Sequence, residues 1–86
     1  MPENNSFELE IIRKEKSELI SVEWVEVQSP TGNFVVGPDH CSLISILKDR
    51  GKFTYKKFGT QEPESFDVFG GVFKISENKA SIILDL

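Results

Sequence analysis

The sequence predicts an all-β fold, a sandwich or barrel of short strands. Three observations predict it. Apolar and polar residues alternate over most of the chain, as with Phe7, Leu9 and Ile11 against Glu8 and Glu10, the period of a half-buried strand. Turn residues recur about every 8–12 positions, the spacing of sandwiches and barrels. The segments between turns are rich in β-branched and aromatic residues, which suit a pleated surface.

Phe7 to Ile11 is the first strand, and Arg13 to Ser17 a charged turn. Leu19 and Ile20 lead into Val22 to Gln28, where Val25 and Val27 share a face opposite Glu26 and Gln28. Val22 and Trp24 fall on the face of Glu26, which predicts burial on both faces or a bulge near Glu23. Pro30-Thr31-Gly32-Asn33 reads as a turn, because Pro presets φ and Gly or Asn tolerates φ > 0. Phe34-Val35-Val36 is a short strand with Phe34 in the core, and Gly37-Pro38-Asp39 is a second turn that delivers His40 and Cys41. Ser42 to Leu47 fits both helical spacing and a short extended run. Lys48 to Gly51 is a turn. Phe53, Tyr55 and Lys57 form a strand with a basic opposite face, and Gly59 to Glu64 a polar loop. Phe66 to Val68, Val72 to Ile75 and Ala80 to Leu84 complete eight or nine strands, with Glu77-Asn78 as a tight hairpin turn. Gly70-Gly71 inside this pattern marks a bulge or the close approach of another backbone.

The 86 residues suffice for one domain with a modest core and no deep pocket. The net charge of −4 argues against binding to phosphate backbones and hence to nucleic acid. Arg13, Lys14 and Lys16 are diluted by Glu15 and Glu18 and read as a solvated turn; Lys52, Lys56 and Lys57 read as a solvated strand face. The single Cys excludes an internal disulfide framework and points to a reducing compartment. No apolar run approaches the ~18 residues of a membrane span. The polar start has no signal-peptide core, so residues 1–6 are expected to be disordered and the chain cytoplasmic.

Little in the sequence speaks for catalysis. Asp39-His40-Cys41 invites a triad reading, but neighbours on an extended chain point to opposite faces and cannot converge on one substrate. A structural or interface histidine is the expectation. One His and one Cys do not make a zinc site, and Cys41 is expected as a small buried apolar residue. Glu62, Glu64 and Asp67 read as a solvated loop, and Trp24 as core ahead of interface anchor. Gly70-Gly71 lacks the following helix start of a phosphate cradle.

Gly32-x-Phe34-x-x-x-Pro38-x-His40-x-x-Leu43 resembles the G-x-[FL]-x-x-x-P-x-H-x-x-L signature of the F-type ATP synthase epsilon subunit, N-terminal domain. Phe69-Gly70-Gly71-Val72-Phe73-Lys74-Ile75 resembles the family's S-G-G-[FI]-x-E-V, and Asn78 to Leu84 its closing N-x-V-T-V-L-A strand. The resemblance covers Phe7 to Asp85, and sets the domain at residues 7–86. It implies a flattened β-sandwich of two short, mostly antiparallel sheets. It also implies a non-catalytic rotor subunit that couples a gamma-like shaft to the c-ring, peripheral on the inner face of the energy-coupling membrane through its complex. By position, Thr31, Gly32 and Asn33 match the turn that touches the polar loops of the ring. His40, Cys41 and Ser45 match gamma-facing positions. Asp39 replaces the usual Gly, Cys41-Ser42 the usual Ala-Pro, and Asn33 a common acidic residue. The sequence stops at Leu86, where most members of the family continue into a helical hairpin that carries inhibition and, in some, a nucleotide site. No cofactor and no nucleotide are therefore expected. The competing reading is a free-standing β-sandwich that binds a peptide or a carbohydrate.

Overall fold

The computed structural model describes residues 6–84. Eight strands occur among them: β1 (Phe7–Ile12), β2 (Ser17–Ser29), β3 (Gly32–Val36), β4 (Leu43–Ile46), β5 (Gly51–Lys57), β6 (Glu64–Val68), β7 (Gly71–Ser76) and β8 (Lys79–Leu84). The all-β expectation is met. Met1 to Asn5, expected to be disordered, lie outside the described residues, as do Asp85 and Leu86. No helix among the described residues is long and apolar enough to cross a membrane.

The strands pair in the order β4-β7-β8-β1-β2-β5-β6, with β3 also on β2. Every pairing is antiparallel except that of β1 with β8. The 13-residue β2 explains how one ladder makes two layers. Its first half, Ser17 to Val22, pairs with β1. Its second half, from Val25 on, lies between β3 and β5. One layer is thus β4-β7-β8-β1 with the start of β2, the other β3, the end of β2, β5 and β6. The expected sheets are present as layers, but a continuous ladder joins them.

The join is a bulge. The β2–β5 register shifts between Val22 and Trp24, which settles the broken alternation in favour of a bulge at Glu23. The extra residue turns Val22, Val25 and Val27 to one side, and all three are fully buried. Trp24 is consequently not core; it stands half-buried beside Lys56 on the outward side of β2. Glu23 Oε2 accepts hydrogen bonds from Lys56 Nζ at 2.8 Å and from the Gly59 N–H at 3.3 Å. The bulged residue is therefore tied to β5 and its following turn.

The two layers meet through aromatic rings. Phe73 of β7 faces Phe53 of β5 at 6.0 Å between centroids and Phe34 of β3 edge-on at 6.5 Å. None of these strands is a ladder neighbour of β7, so the contacts cross the core. Phe53 and Phe73 are fully buried with Leu9, Ile75, Ile82 and the three valines. Phe34, expected in the core, is only half-buried and packs against its margin, because β3 is a short strand paired on one side only. Arg13 lies 5.1 Å over the Phe66 ring, so part of the charged β1–β2 turn closes down on β6.

Glu77 and Asn78 both adopt positive φ, 52° and 60°, the signature of a type I′ hairpin turn. Gly71 has φ +146°, and a Cβ there would run into the Ile83 carbonyl oxygen. The expected close backbone approach at the glycine pair is thus real, and it occurs at the second glycine. Ser42 to Leu47, open between helix and strand from its pattern, contains strand β4, which pairs with β7 alone.

Candidate functional site

The residues singled out in the sequence fall into two groups that the fold keeps separate. Thr31 lies in the tight turn between β2 and β3, and Gly32 and Asn33 open β3. All three are exposed, and the turn is held by Ser29 Oγ donating to the Gly32 carbonyl at 2.6 Å. The Lys48–Arg50 turn is fastened beside the end of β2 by the Lys48 N–H to the Gln28 carbonyl, 2.9 Å. Gly51 pairs with Val68, which brings exposed Phe69 toward the same end.

His40 and Cys41 lie on the segment before β4, against the β7–β8 turn. The Asp39 N–H donates to Asn78 Oδ1 at 2.6 Å, and Asn78 Nδ2 donates to Asp39 Oδ1 at 2.9 Å. This reciprocal clasp spans 39 residues of chain and accommodates a positive φ at both residues. His40 is half-buried, with Nδ1 2.7 Å from the Cys41 carbonyl oxygen. Cys41 is exposed, contrary to the expectation of a buried apolar residue, because the clasp holds this segment at the surface. Ser45 lies on the core-facing side of β4, paired with buried Phe73, and its hydroxyl donates to the Ile46 carbonyl.

No group of three or more His, Cys, Asp or Glu able to hold a metal occurs among the described residues. Among the carboxylates, Glu23 is clearly perturbed. The Lys56 hydrogen bond, then the Gly59 N–H, holds it below the usual glutamate range. Burial pushes the Tyr55 phenol up, with Glu64 adding to the effect. Both belong to the structural clasps of β5.

The feature the sequence pattern missed is a face. In the β4-β7-β8-β1-β2 layer, Phe73, Ile75, Ala80, Ile82, Phe7, Leu9 and Ile11 point inward. Their neighbours point out, and the register stacks them in rows across the strands. One row reads Ile46, Val72, Ile83, Ile12, Ser17; the next reads Ile44, Lys74, Ser81, Glu10, Leu19. Ile44, Ile46 and Leu19 are 75%, 67% and 64% exposed. The outward side of the other layer is more polar, with Glu26, Gln28, Lys52, Thr54, Ser65 and Asp67 beside exposed Val35 and half-buried Trp24. A monomer filling its core from one side of a sheet has no use for isoleucines on the other. The row joins Ile12, Ile46, Val72 and Ile83, which lie far apart in the sequence and meet only through the strand pairings.

The sequence profile of the family described as ATP synthase, Delta/Epsilon chain, beta-sandwich domain matches residues 6–85. The chain belongs to this family. Among curated proteins no relative matches. A chain of the Euglena gracilis mitochondrial ATP synthase, solved as OSCP/F1/c-ring in rotational state 1, superposes with a TM-score of 0.86 at 14% identity, over 98% of this chain and 53% of that one. A chain of the Tetrahymena thermophila mitochondrial ATP synthase central stalk and c-ring gives 0.74 at 13% identity, over 90% and 61%. These likenesses establish the fold, and this delta/epsilon-type domain spans between half and two thirds of the length of either chain.

Proposed function

We propose that this delta/epsilon-type domain is a non-catalytic central-stalk component of a proton-translocating F-type ATP synthase, coupling a gamma-like shaft to the c-ring. The observation that carries the reading is the family match over residues 6–85. The apolar row on the β4-β7-β8-β1 layer supports it, since a body that sits between two partners needs a surface fit for stable docking. In this reading Thr31, Gly32 and Asn33 meet the polar loops of the ring, and His40, Cys41 and Ser45 lie toward the shaft. The separation of the two groups by the fold suits two partners. Attachment to the membrane is indirect, on its inner face through the complex, and no nucleotide is bound by these residues.

Assembly with the cognate rotor tests this. Asn33→Cys in a Cys41→Ser background should cross-link to a ring subunit, whereas native Cys41 should cross-link to the shaft. Capture of the same partner from both positions, or of neither in an otherwise complete complex, would leave the peptide- or carbohydrate-binding sandwich as the better account.

A further inference from the structure

We propose that the free chain pairs with a second copy of itself, edge to edge through β4, antiparallel and in one register, with Ser45 of each copy at the two-fold axis. This pairing belongs to the chain outside any assembly and holds whether or not the central-stalk reading does.

The phase of the β4–β7 ladder decides which backbone groups stand open. The Leu47 N–H donates to the Gly71 carbonyl at 3.0 Å, so Leu47 is a hydrogen-bonding position of that ladder. In an antiparallel pair such positions alternate with ones whose N–H and C=O point the other way. Leu43 and Ser45 therefore turn their backbone groups toward β7, at Ile75 and Phe73, while Ile44 and Ile46 turn theirs toward the opposite edge. No other strand covers that edge among the described residues. The Ser45 hydroxyl reaches the Ile46 carbonyl at 3.2 Å, and a carbonyl oxygen has a second lone pair for another donor.

This edge carries none of the usual guards. Open strands are normally blunted by a lysine, a proline or a bulge. From Cys41 to Leu47 there is no charged residue and no proline, and the pairing of β4 with β7 runs without a shift. Ile44 and Ile46, whose backbone groups stand open, are also the exposed side chains of the strand.

The side-chain pattern names the partner and the register. With Ser45 opposite Ser45, Ile44 of each copy faces Ile46 of the other on the outward side, and Leu43 faces Leu47 on the inward side. The two isoleucine pairs exchange their N–H and C=O groups, and the contact is the same patch on both copies, as a two-fold dimer requires. A slip by one residue would set open groups against groups already bonded to β7. Centring the pair on Ile44 or on Ile46 instead would set isoleucine against Ser42 or Lys48, and leucine against Ser45, so the apolar pattern selects Ser45. Beyond the strand, the same register brings Ser42 to Lys48 and Cys41 to Asp49, and no like charges meet.

Sedimentation equilibrium of the purified chain in reductant, from about 10 μM to about 1 mM, should show a reversible monomer–dimer equilibrium, weak because so short a contact falls in the class that buries under about 1,200 Å². Two variants attack the edge and spare the β7 ladder. Ile44→Pro removes an N–H that points to the open side, where an edge strand tolerates proline. Ile46→Lys supplies the missing guard. Each should weaken the dimer at least tenfold, while the melting temperature of the dilute chain stays within a few degrees of wild type. In a Cys41→Ser background, Ser45→Cys should link two chains on mild oxidation, since directly opposed residues of a non-hydrogen-bonded pair lie about 4.5 Å apart at Cα, within disulfide reach. Ser65→Cys, exposed on β6, should not link. A chain that stays monomeric at about 1 mM overturns the proposal. A dimer that survives either edge variant, or that fails to link through Ser45→Cys, overturns it too; loss in Ile46→Lys alone would mark a face-to-face contact of the outer apolar rows instead. All of these outcomes leave the central-stalk reading where it was.

Discussion

Gly71→Ala should destabilise the domain severely, and the two causes can be separated. Gly71 has φ +146°, a region that L side chains rarely adopt, at a cost of about 1–3 kcal/mol. Its missing Cβ also leaves room for the Ile83 carbonyl oxygen and the Leu47 methyl group. An added methyl would push β8 away where Gly71 pairs with Leu84, and would disturb the Gly71 carbonyl that accepts from the Leu47 N–H at 3.0 Å. Losing about one backbone hydrogen bond adds about 1 kcal/mol. The sum, about 2–4 kcal/mol, is a large share of the 4–13 kcal/mol expected for a chain of this size at roughly 0.05–0.15 kcal/mol per residue. At about 4–8 °C per kcal/mol, the melting temperature should fall by about 10–30 °C. Gly70→Ala is the control. Gly70 has φ +114°, but nothing lies within 4 Å of its would-be Cβ, so only the backbone strain applies. Gly37→Ala, with open space and no positive φ, should be neutral or slightly stabilising. Thermal melts followed by far-UV circular dichroism rank the three. A Gly71→Ala melt within a few degrees of wild type, or equal losses at Gly70 and Gly71, would refute the close approach of β7 and β8 at this point.

Three further outcomes follow from the packing and the charges. Phe73→Ala should cost about 3–5 kcal/mol in urea unfolding, whereas half-buried Phe34→Ala should cost about half as much; the reverse order would mean that β3, not β7, pins the layers. Glu23 is held below the usual glutamate range, so the stability it adds is present at neutral pH and is lost as pH falls through its folded-state titration; Glu23→Gln should therefore flatten the acid limb of the melting temperature between neutral pH and about pH 3, and an unchanged limb would show the Lys56 contact to be idle. Millimolar Mg-ATP should leave the melting temperature unmoved, since a ligand specific for the folded state would raise it; a saturable rise would show a nucleotide site on this domain.

Most strands were legible because alternation at Phe7–Ile11, Phe53–Tyr55 and Ala80–Leu84 reports one buried side directly. The bulge was legible for the same reason, as a break in phase at Val22 and Trp24. Ser42 to Leu47 was not, because an edge strand with isoleucines outward and Leu43, Ser45 and Leu47 inward has no alternation of polarity to show. Phe34 and Trp24 were misplaced by the same habit of thought: a large apolar side chain is read as core, whereas Phe34 sits on a strand flanked on one side only and Trp24 is turned outward by the bulge. The outer row was invisible because its members are far apart in sequence. Ile12, Ile46, Val72 and Ile83 become neighbours only through three pairings, one of them the parallel β1–β8 pair that no local pattern announces. Exposure of Cys41 likewise depends on the Asp39–Asn78 clasp, a contact between residues with no periodicity in common.

β2 belongs to both layers, and this has a mechanical consequence. Two separate sheets face each other through side chains alone, and such an interface can slide or twist under load. Here the covalent chain of β2, together with the hydrogen-bonded ladders on its flanks, passes from one layer to the other, with Glu23 locking the corner to Lys56 and Gly59. Rotating the layers against each other would shear the β1–β2 and β2–β5 ladders, in which many bonds share the load and must fail together. The softer directions are at the free edges, where β3, β4 and β6 are each held by a single neighbour. A force entering through the β2–β3 turn is thus carried into both layers along β2, while compliance is left to the edge strands.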